Sequence, residues 1–154
     1  MGKETAFLML RGNSPTKVDE KGRVKIPTIF RTEIEQEHGS EFYVTSLYGD
    51  CVRVYPFPVW NEIEQKISAL PSTNIAIKRF LRNTNYYGQI VTMDNQGRIL
   101  IPAMLRESAQ IRDEVTVMGA LRYLEIWNAE IFRKKMLEDP LSEADEQALS
   151  QLGI

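Results

Sequence analysis

One cysteine, Cys51, and one histidine, His38, are all that 154 residues contain of either type. A disulfide scaffold is therefore excluded, and no Cys/His cluster is available to hold a metal; the usage fits a reducing cytosol. No apolar run approaches the roughly 20 residues needed to span a bilayer. The segment from Met1 to Leu10 lacks the long apolar core of a signal peptide. A soluble, cytoplasmic protein is expected. Excess charge is lacking too: 19 basic residues face 21 acidic ones, a net charge of −2, so the total draws no polyanion. With one histidine, one cysteine and no recognisable catalytic spacing, an enzyme is not expected, and neither is a cofactor or a small-molecule substrate.

What the sequence does contain is a repeat. Val18-Asp19-Glu20-Lys21-Gly22-Arg23-Val24-Lys25-Ile26-Pro27 returns as Met93-Asp94-Asn95-Gln96-Gly97-Arg98-Ile99-Leu100-Ile101-Pro102, an offset of 75 residues, and Phe30-Arg31 matches Leu105-Arg106. Two copies are too few for a solenoid; they indicate a tandem pair of similar units. Half of such a chain has a thin core, so each half is expected to share a core with the other half or with another chain.

Asp-x-x-Gly-Arg reads as a tight turn. The aspartate side chain accepts from backbone N–H groups ahead of it, and glycine supplies a positive φ. An alternating strand follows, with Arg23 and Lys25 on one face and Val24 and Ile26 on the other. Pro27 is expected to start a helix. Asp19, Gly22, Asp94 and Gly97 are therefore read as structural. The second copy keeps Arg98 but has Gln96 and Leu100 where the first has Lys21 and Lys25, so the first turn is the better anion site. Charge follows the same division. Residues 3–31 hold seven basic and three acidic side chains, 33–66 two and seven, and 78–106 five and one. A basic face can thus exist on a mildly acidic protein.

Along the chain, Ala6 to Leu10 reads as a strand and Arg11 to Pro15 as a loop. A helix is expected from Thr28 to Glu37, with Gly39 as its stop. A hairpin is expected across Phe42–Ser46 and Cys51–Tyr55, then a helix from Val59 to Leu70 and another from Ile75 to Asn83. The second half repeats the plan: a strand over Tyr86–Met93, a short helix over Ala103–Ala109, a hairpin across Val115–Met118 and Tyr123–Trp127, and a helix over Ala129–Leu137. Ser142 with Asp145 forms a capping-box pattern for a last helix to Leu152. Trp60 and Trp127 read as core, and Cys51 as a small buried apolar residue.

The paired Asp-x-x-Gly-Arg units, Tyr55-Pro56 with Trp60 and Glu64-Gln65-Lys66, and Glu125-Ile126-Trp127 together resemble the MraZ family over nearly the whole chain. The resemblance implies an α+β, mostly β fold: two fused AbrB/SpoVT-like swapped-hairpin units forming a double-split β-barrel-like core with flanking helices. The units would span 6–58 and 85–130, with a helical connector at 59–84 and a helical tail at 131–154. It also implies a nucleoid-associated DNA-binding regulator that acts on the promoter of its own division and cell-wall gene cluster. Short G-rich direct repeats would be its operator, and a homo-oligomeric ring its assembly. The DNA contacts would be Arg23, Lys21 and Lys25, with Arg31, Lys17 and Arg11 as phosphate contacts and Arg98 in the weaker copy. Residue by residue, blander readings compete: Arg23 could instead lock the turn by pairing with Asp19, and Lys78, Arg79 and Arg82 read as a solvated helix face. The rival for the whole chain is an oligomeric scaffold without specific DNA binding.

Overall fold

A computed structural model describes residues 9–154. The expected strand over Ala6–Leu10 falls largely outside them; Leu10 itself forms an antiparallel bridge with Leu121. The fold is α+β. Among the described residues, eight strands divide into a six-stranded antiparallel sheet and a two-stranded ribbon, and six helices flank them.

Strand β1 is Asn13–Lys17 and β2 is Arg23–Lys25; helix α1 is Thr28–His38. Then come β3 (Glu41–Thr45), β4 (Val52–Pro56), α2 (Phe57–Ser68) and α3 (Ile75–Tyr86). The second repeat gives β5 (Gln89–Thr92), β6 (Arg98–Leu100), α4 (Ala103–Ala109), β7 (Glu114–Gly119), β8 (Leu124–Asn128) and α5 (Ala129–Glu138). Helix α6 (Glu143–Gln151) closes the chain behind the expected capping box, in which Ser142 Oγ accepts from Asp145 N and Asp145 Oδ2 from Ser142 N.

The sheet order β1-β7-β8-β4-β3-β5 exchanges strands between the repeats. The strand before each turn pairs with the other repeat's hairpin: β1 with β7, and β5 with β3. The ribbon pairs β2 with β6, placing Val24 opposite Ile99, and the centre of the sheet places Arg53 opposite Glu125. Each of these is a pair of equivalent positions in the two repeats. A residue facing its own counterpart is the mark of a two-fold relation, here built inside one chain.

Alternation along the strands puts Phe42, Val44, Val52, Val54, Val115, Val117, Leu124 and Ile126 on one face, all fully buried. The ribbon's Val24, Ile26, Ile99 and Ile101 join the same core, as do Phe30 and Ile34 of α1 and Leu105 and Ala109 of α4. On the opposite face, Trp60 of α2 stacks on Tyr43 with ring centroids 4.5 Å apart and packs on Tyr55 and Phe80. Trp60 and Trp127 are both buried, as is Cys51. Apart from Asn128 at the end of β8, the inner positions of the ribbon and of the central strands are thus apolar, and neither repeat has this core without the other.

Some boundaries depart from expectation for identifiable reasons. The segment read as a loop over Arg11–Pro15 belongs in part to β1, which begins at Asn13. Pro15 is tolerated there because β1 is an edge strand, where a missing N–H costs no ladder bond. Pro27 is the N-cap of α1 rather than its first residue. Helix α2 starts two residues before Val59, since Pro58 in the first turn needs no donor. Helix α3 runs on to Tyr86, so the strand expected from there starts at Gln89. The extra turn is held by side chains: Thr84 Oγ1 donates to Phe80 O (2.8 Å), Asn85 Nδ2 to Leu81 O (2.7 Å) and Asn83 Nδ2 to Leu47 O (2.8 Å).

Candidate nucleic-acid interface

The two fingerprints meet at the ribbon. In each, the aspartate organises the turn through three bonds. Asp19 Oδ1 accepts from Lys21 N (2.9 Å) and Arg23 N (2.8 Å), while Oδ2 accepts from Arg23 Nε (2.7 Å). Asp94 Oδ1 accepts from Gln96 N and Arg98 N (both 2.9 Å), and Oδ2 from Arg98 Nε (2.9 Å). Both carboxyls are held below their ordinary pKa, chiefly by the backbone N–H of the arginine four residues on. Gly22 and Gly97 take φ values of 84° and 78°, as the turn requires.

Each turn also leans on the other repeat. Ile26 N donates to Gly97 O (2.8 Å), and Ile101 N to Gly22 O (3.1 Å). Arg31 of α1 donates from Nη2 to Asn95 O in the second turn (3.1 Å) and pairs with Glu35 (3.3 Å). Its counterpart Arg106 in α4 donates from Nε to Ile101 O (2.8 Å) and packs over Gly22, so a Cβ at that glycine would collide with the guanidinium. At Gly97 an added Cβ would lie 2.8 Å from Arg31 Nη1. Arg31 is thus a strut for the second turn. Arg106, not among the expected contact residues, is the strut for the first. The signal for both was in the repeat itself, where Phe30-Arg31 aligns with Leu105-Arg106.

With Val24 and Ile99 turned inward, the outer surface of the ribbon is Arg23 opposite Leu100 and Lys25 opposite Arg98. Arg98 Nη1 also lies 3.9 Å from Asp19 Oδ2, which ties the two turns together. Arg23 and Arg98 are half-buried and bond carboxylate through Nε, while their terminal nitrogens make no hydrogen bond among the described residues. Both the locking role and an outward-facing guanidinium edge therefore coexist in Arg23. Lys21 and Lys25 are exposed and have no carboxylate within salt-bridge distance among the described residues. Lys17 is exposed at the end of β1 nearest the first turn, opposite Glu114. Arg11 stands apart: it lies beyond the other end of β1, beside Ile29, Phe30 and Glu33 of α1. The structure thus gathers Arg23, Lys21, Lys25 and Arg98, keeps Lys17 nearby, commits Arg31 to the second turn, and leaves Arg11 elsewhere.

No group of three His, Cys, Asp or Glu side chains suited to a metal occurs among the described residues. No described helix is long and apolar enough to cross a membrane.

A single chain in which two Asp-x-x-Gly-Arg units exchange strands around an internal two-fold axis defines a class, the fused tandem of swapped-hairpin units. Sequence similarity identifies which one. The family described as "MraZ protein, putative antitoxin-like" matches residues 9–83 and 88–152. A transcriptional regulator MraZ from Acidobacterium capsulatum is 48% identical over 146 residues, covering 95% of this chain and 100% of the relative. Another from Koribacter versatilis is 48% identical over 147 residues with the same coverage, and one from Caldicellulosiruptor saccharolyticus is 37% identical over 147. The chain belongs to the MraZ family, a family of transcriptional regulators and not of enzymes.

Proposed function

We propose that this chain regulates transcription by binding DNA sequence-specifically through the outer face of the β2–β6 ribbon and its first turn. The observation that carries this reading is the collection of Arg23, Lys25 and Arg98 on one exposed ribbon face, with Lys21 beside them. A two-stranded ribbon fits the major groove, where arginine pairs with guanine O6 and N7. Asp19 fixes Arg23 through Nε, which leaves the outer edge of the guanidinium free for a base while Lys21 and Lys25 take phosphates. The operator on this reading is a set of short G-rich direct repeats in the promoter of the protein's own division and cell-wall gene cluster, bound at the nucleoid. The halves 6–58 and 85–130 form the DNA-binding body, with 59–84 as connector and 131–154 as tail.

One ribbon grips few phosphates. A homo-oligomeric ring repeats the ribbon in space, so that direct repeats engage neighbouring subunits and avidity raises affinity without new contacts. The test is fluorescence anisotropy with DNA from upstream of the gene against scrambled DNA, at several salt concentrations. Tight, sequence-dependent binding that weakens steeply with salt supports the reading. Equal binding to both DNAs leaves only non-specific attraction and favours an oligomeric scaffold instead.

A further inference from the structure

We propose that the outer edge of β5 is a docking site for an extended segment of another protein, which pairs with β5 and sets an apolar side chain beside Ile90 and a basic one beside Thr92. The sheet order leaves two edges, β1 and β5. Each strand precedes one of the fingerprint turns, and the 75-residue offset aligns residues 13–17 with 88–92.

In an antiparallel pair, every second residue turns its N–H and C=O toward the partner strand, and the residues between turn theirs outward. Along β1, Gly119 N donates to Gly12 O (2.8 Å) and Val18 N to Asp113 O (2.9 Å), which makes Asn13, Pro15 and Lys17 the outward residues. Along β5, Met93 N donates to Ser40 O (2.8 Å), so Ile90 and Thr92 are outward. These two are the counterparts of Pro15 and Lys17. Natural sheets close an edge with proline, which has no N–H to offer, and with lysine, whose charge resists burial under a new strand. Strand β1 has both at its outward positions and β5 has neither. Ile90 and Thr92 are β-branched strand formers instead. Ile90 is 53% exposed, and the outward N–H and C=O groups of both residues make no hydrogen bond among the described residues. Donors and acceptors repeating about 7 Å apart match the backbone of an extended polypeptide.

The side chains say what kind of segment fits. Ile90 lies opposite Tyr43 and Thr92 opposite Glu41, so all four share one face of the sheet. Glu41 is exposed there. Burial, and after it the nearby Glu64 carboxylate of α2, hold the Tyr43 hydroxyl above its ordinary pKa. Two carboxylates thus stand on the face where Ile90 supplies an apolar contact, and they favour lysine or arginine on the incoming strand. A second copy of this chain brings no complementary strand: its β1 edge is closed by Pro15, and its β5, Gln89–Thr92, has no basic residue.

The probe is a fluorescein-labelled peptide, Thr-Lys-Val-Val-Val-Lys-Thr, titrated against the full chain and read by anisotropy. Its control is the same peptide N-methylated at the central valine, which keeps the charge and removes one donor. Two variants of the chain are compared. Ile90→Pro installs in β5 what the fold already accommodates at Pro15. Ile90→Lys with Thr92→Lys keeps both N–H groups and adds charge. The wild type binds the unmodified peptide, and binding slows amide hydrogen exchange in β5. N-methylation and each variant weaken binding by on the order of tenfold or more, while circular dichroism shows both variants folded. If Ile90→Pro does not fold, the double-lysine variant decides. Absence of wild-type binding, equal binding of the two peptides, undiminished affinity in a folded variant, or slowed exchange that spares β5 overturns the proposal. Protection of β5 in the free chain that disappears on dilution shows that a second copy holds the edge, and overturns it as well.

Discussion

Replacing Lys21 and Lys25 by alanine together isolates the electrostatic part of the ribbon from its structural part. Both lysines are exposed and neither has a carboxylate within salt-bridge distance among the described residues, so the substitution removes charge without freeing a partner. Each lysine seated on a phosphate adds about 0.9 to the slope of log affinity against log salt on duplex DNA. Two lysines therefore account for a slope of about 1.8 per engaged subunit. Between roughly 50 and 200 mM salt, the wild type should lose about ten times more affinity than the double variant for each subunit engaged. If two subunits bind adjacent boxes, the difference is on the order of a hundredfold. Anisotropy titrations at four or five salt concentrations measure both slopes. The preference for operator over scrambled DNA should survive, since Arg23 remains. An unchanged slope would refute the reasoning, because it would mean that neither lysine faces a phosphate.

Arg23→Ala should abolish the preference for operator DNA while leaving the oligomer intact; a lost oligomer would instead make Arg23 chiefly a structural lock for Asp19. Arg98→Ala should cost less binding, because its own turn carries Gln96 where the first turn carries Lys21. An equal or larger loss would overturn the asymmetry between the copies. The Asp19 and Asp94 carboxyls are held low in the folded state, so their contribution is fully present above the ordinary carboxylate pKa and drains as pH falls through the lower folded value. A variant with both Asp19→Asn and Asp94→Asn should therefore show a flatter loss of melting temperature below about pH 4 than the wild type; parallel acid limbs would contradict the assignment. Burial pushes the Cys51 thiol up to about 12, so at pH 8 it should react with a thiol reagent far more slowly than unfolded protein does. Equally fast labelling of the native chain would show that the site opens.

Much of this architecture was legible because the chain states it twice. The Asp-x-x-Gly-Arg turns, the alternation of Val24 and Ile26 against Arg23 and Lys25, and the short helix Ala103–Ala109 are local patterns with local causes, and each lies where its pattern places it. Less legible were features that depend on partners far along the chain. Pro15 argued for a loop, and only the position of β1 at the edge of the sheet makes it acceptable in a strand. Arg31 looked like a free cation because nothing near it in sequence shows that Asn95, 64 residues away, will need it. Arg106 was overlooked for the same reason. Arg11 was counted with the turn by its position in a basic block, but six residues of extended backbone, on the order of 20 Å, carry it from Lys17 toward α1. Charge blocks read along a sequence do not distinguish two ends of one strand.

The internal two-fold also accounts for the imbalance between the copies. In a symmetric homodimer of single units, one gene sets both turns, and a change at Lys25 would appear twice on the ribbon. Fusion removes that constraint. The buried pairs remain matched, with Val24 against Ile99 and Ile26 equivalent to Ile101, because a core filled from both sides tolerates little volume change at either position. The struts remain matched too, Arg31 on one turn and Arg106 on the other, because each fills the space over the other repeat's glycine. Within the two fingerprints, charge differs only at exposed positions: Glu20 from Asn95, Lys21 from Gln96, and Lys25 from Leu100, while the buried positions exchange one apolar side chain for another. Exposed positions on the ribbon carry no packing cost, so they are where the two halves can differ in charge while still closing one core. The ribbon consequently keeps a basic pair at each end, Arg23 with Lys21 at one and Arg98 with Lys25 at the other, while the uncharged neighbour differs, Leu100 at the first end and Gln96 at the second.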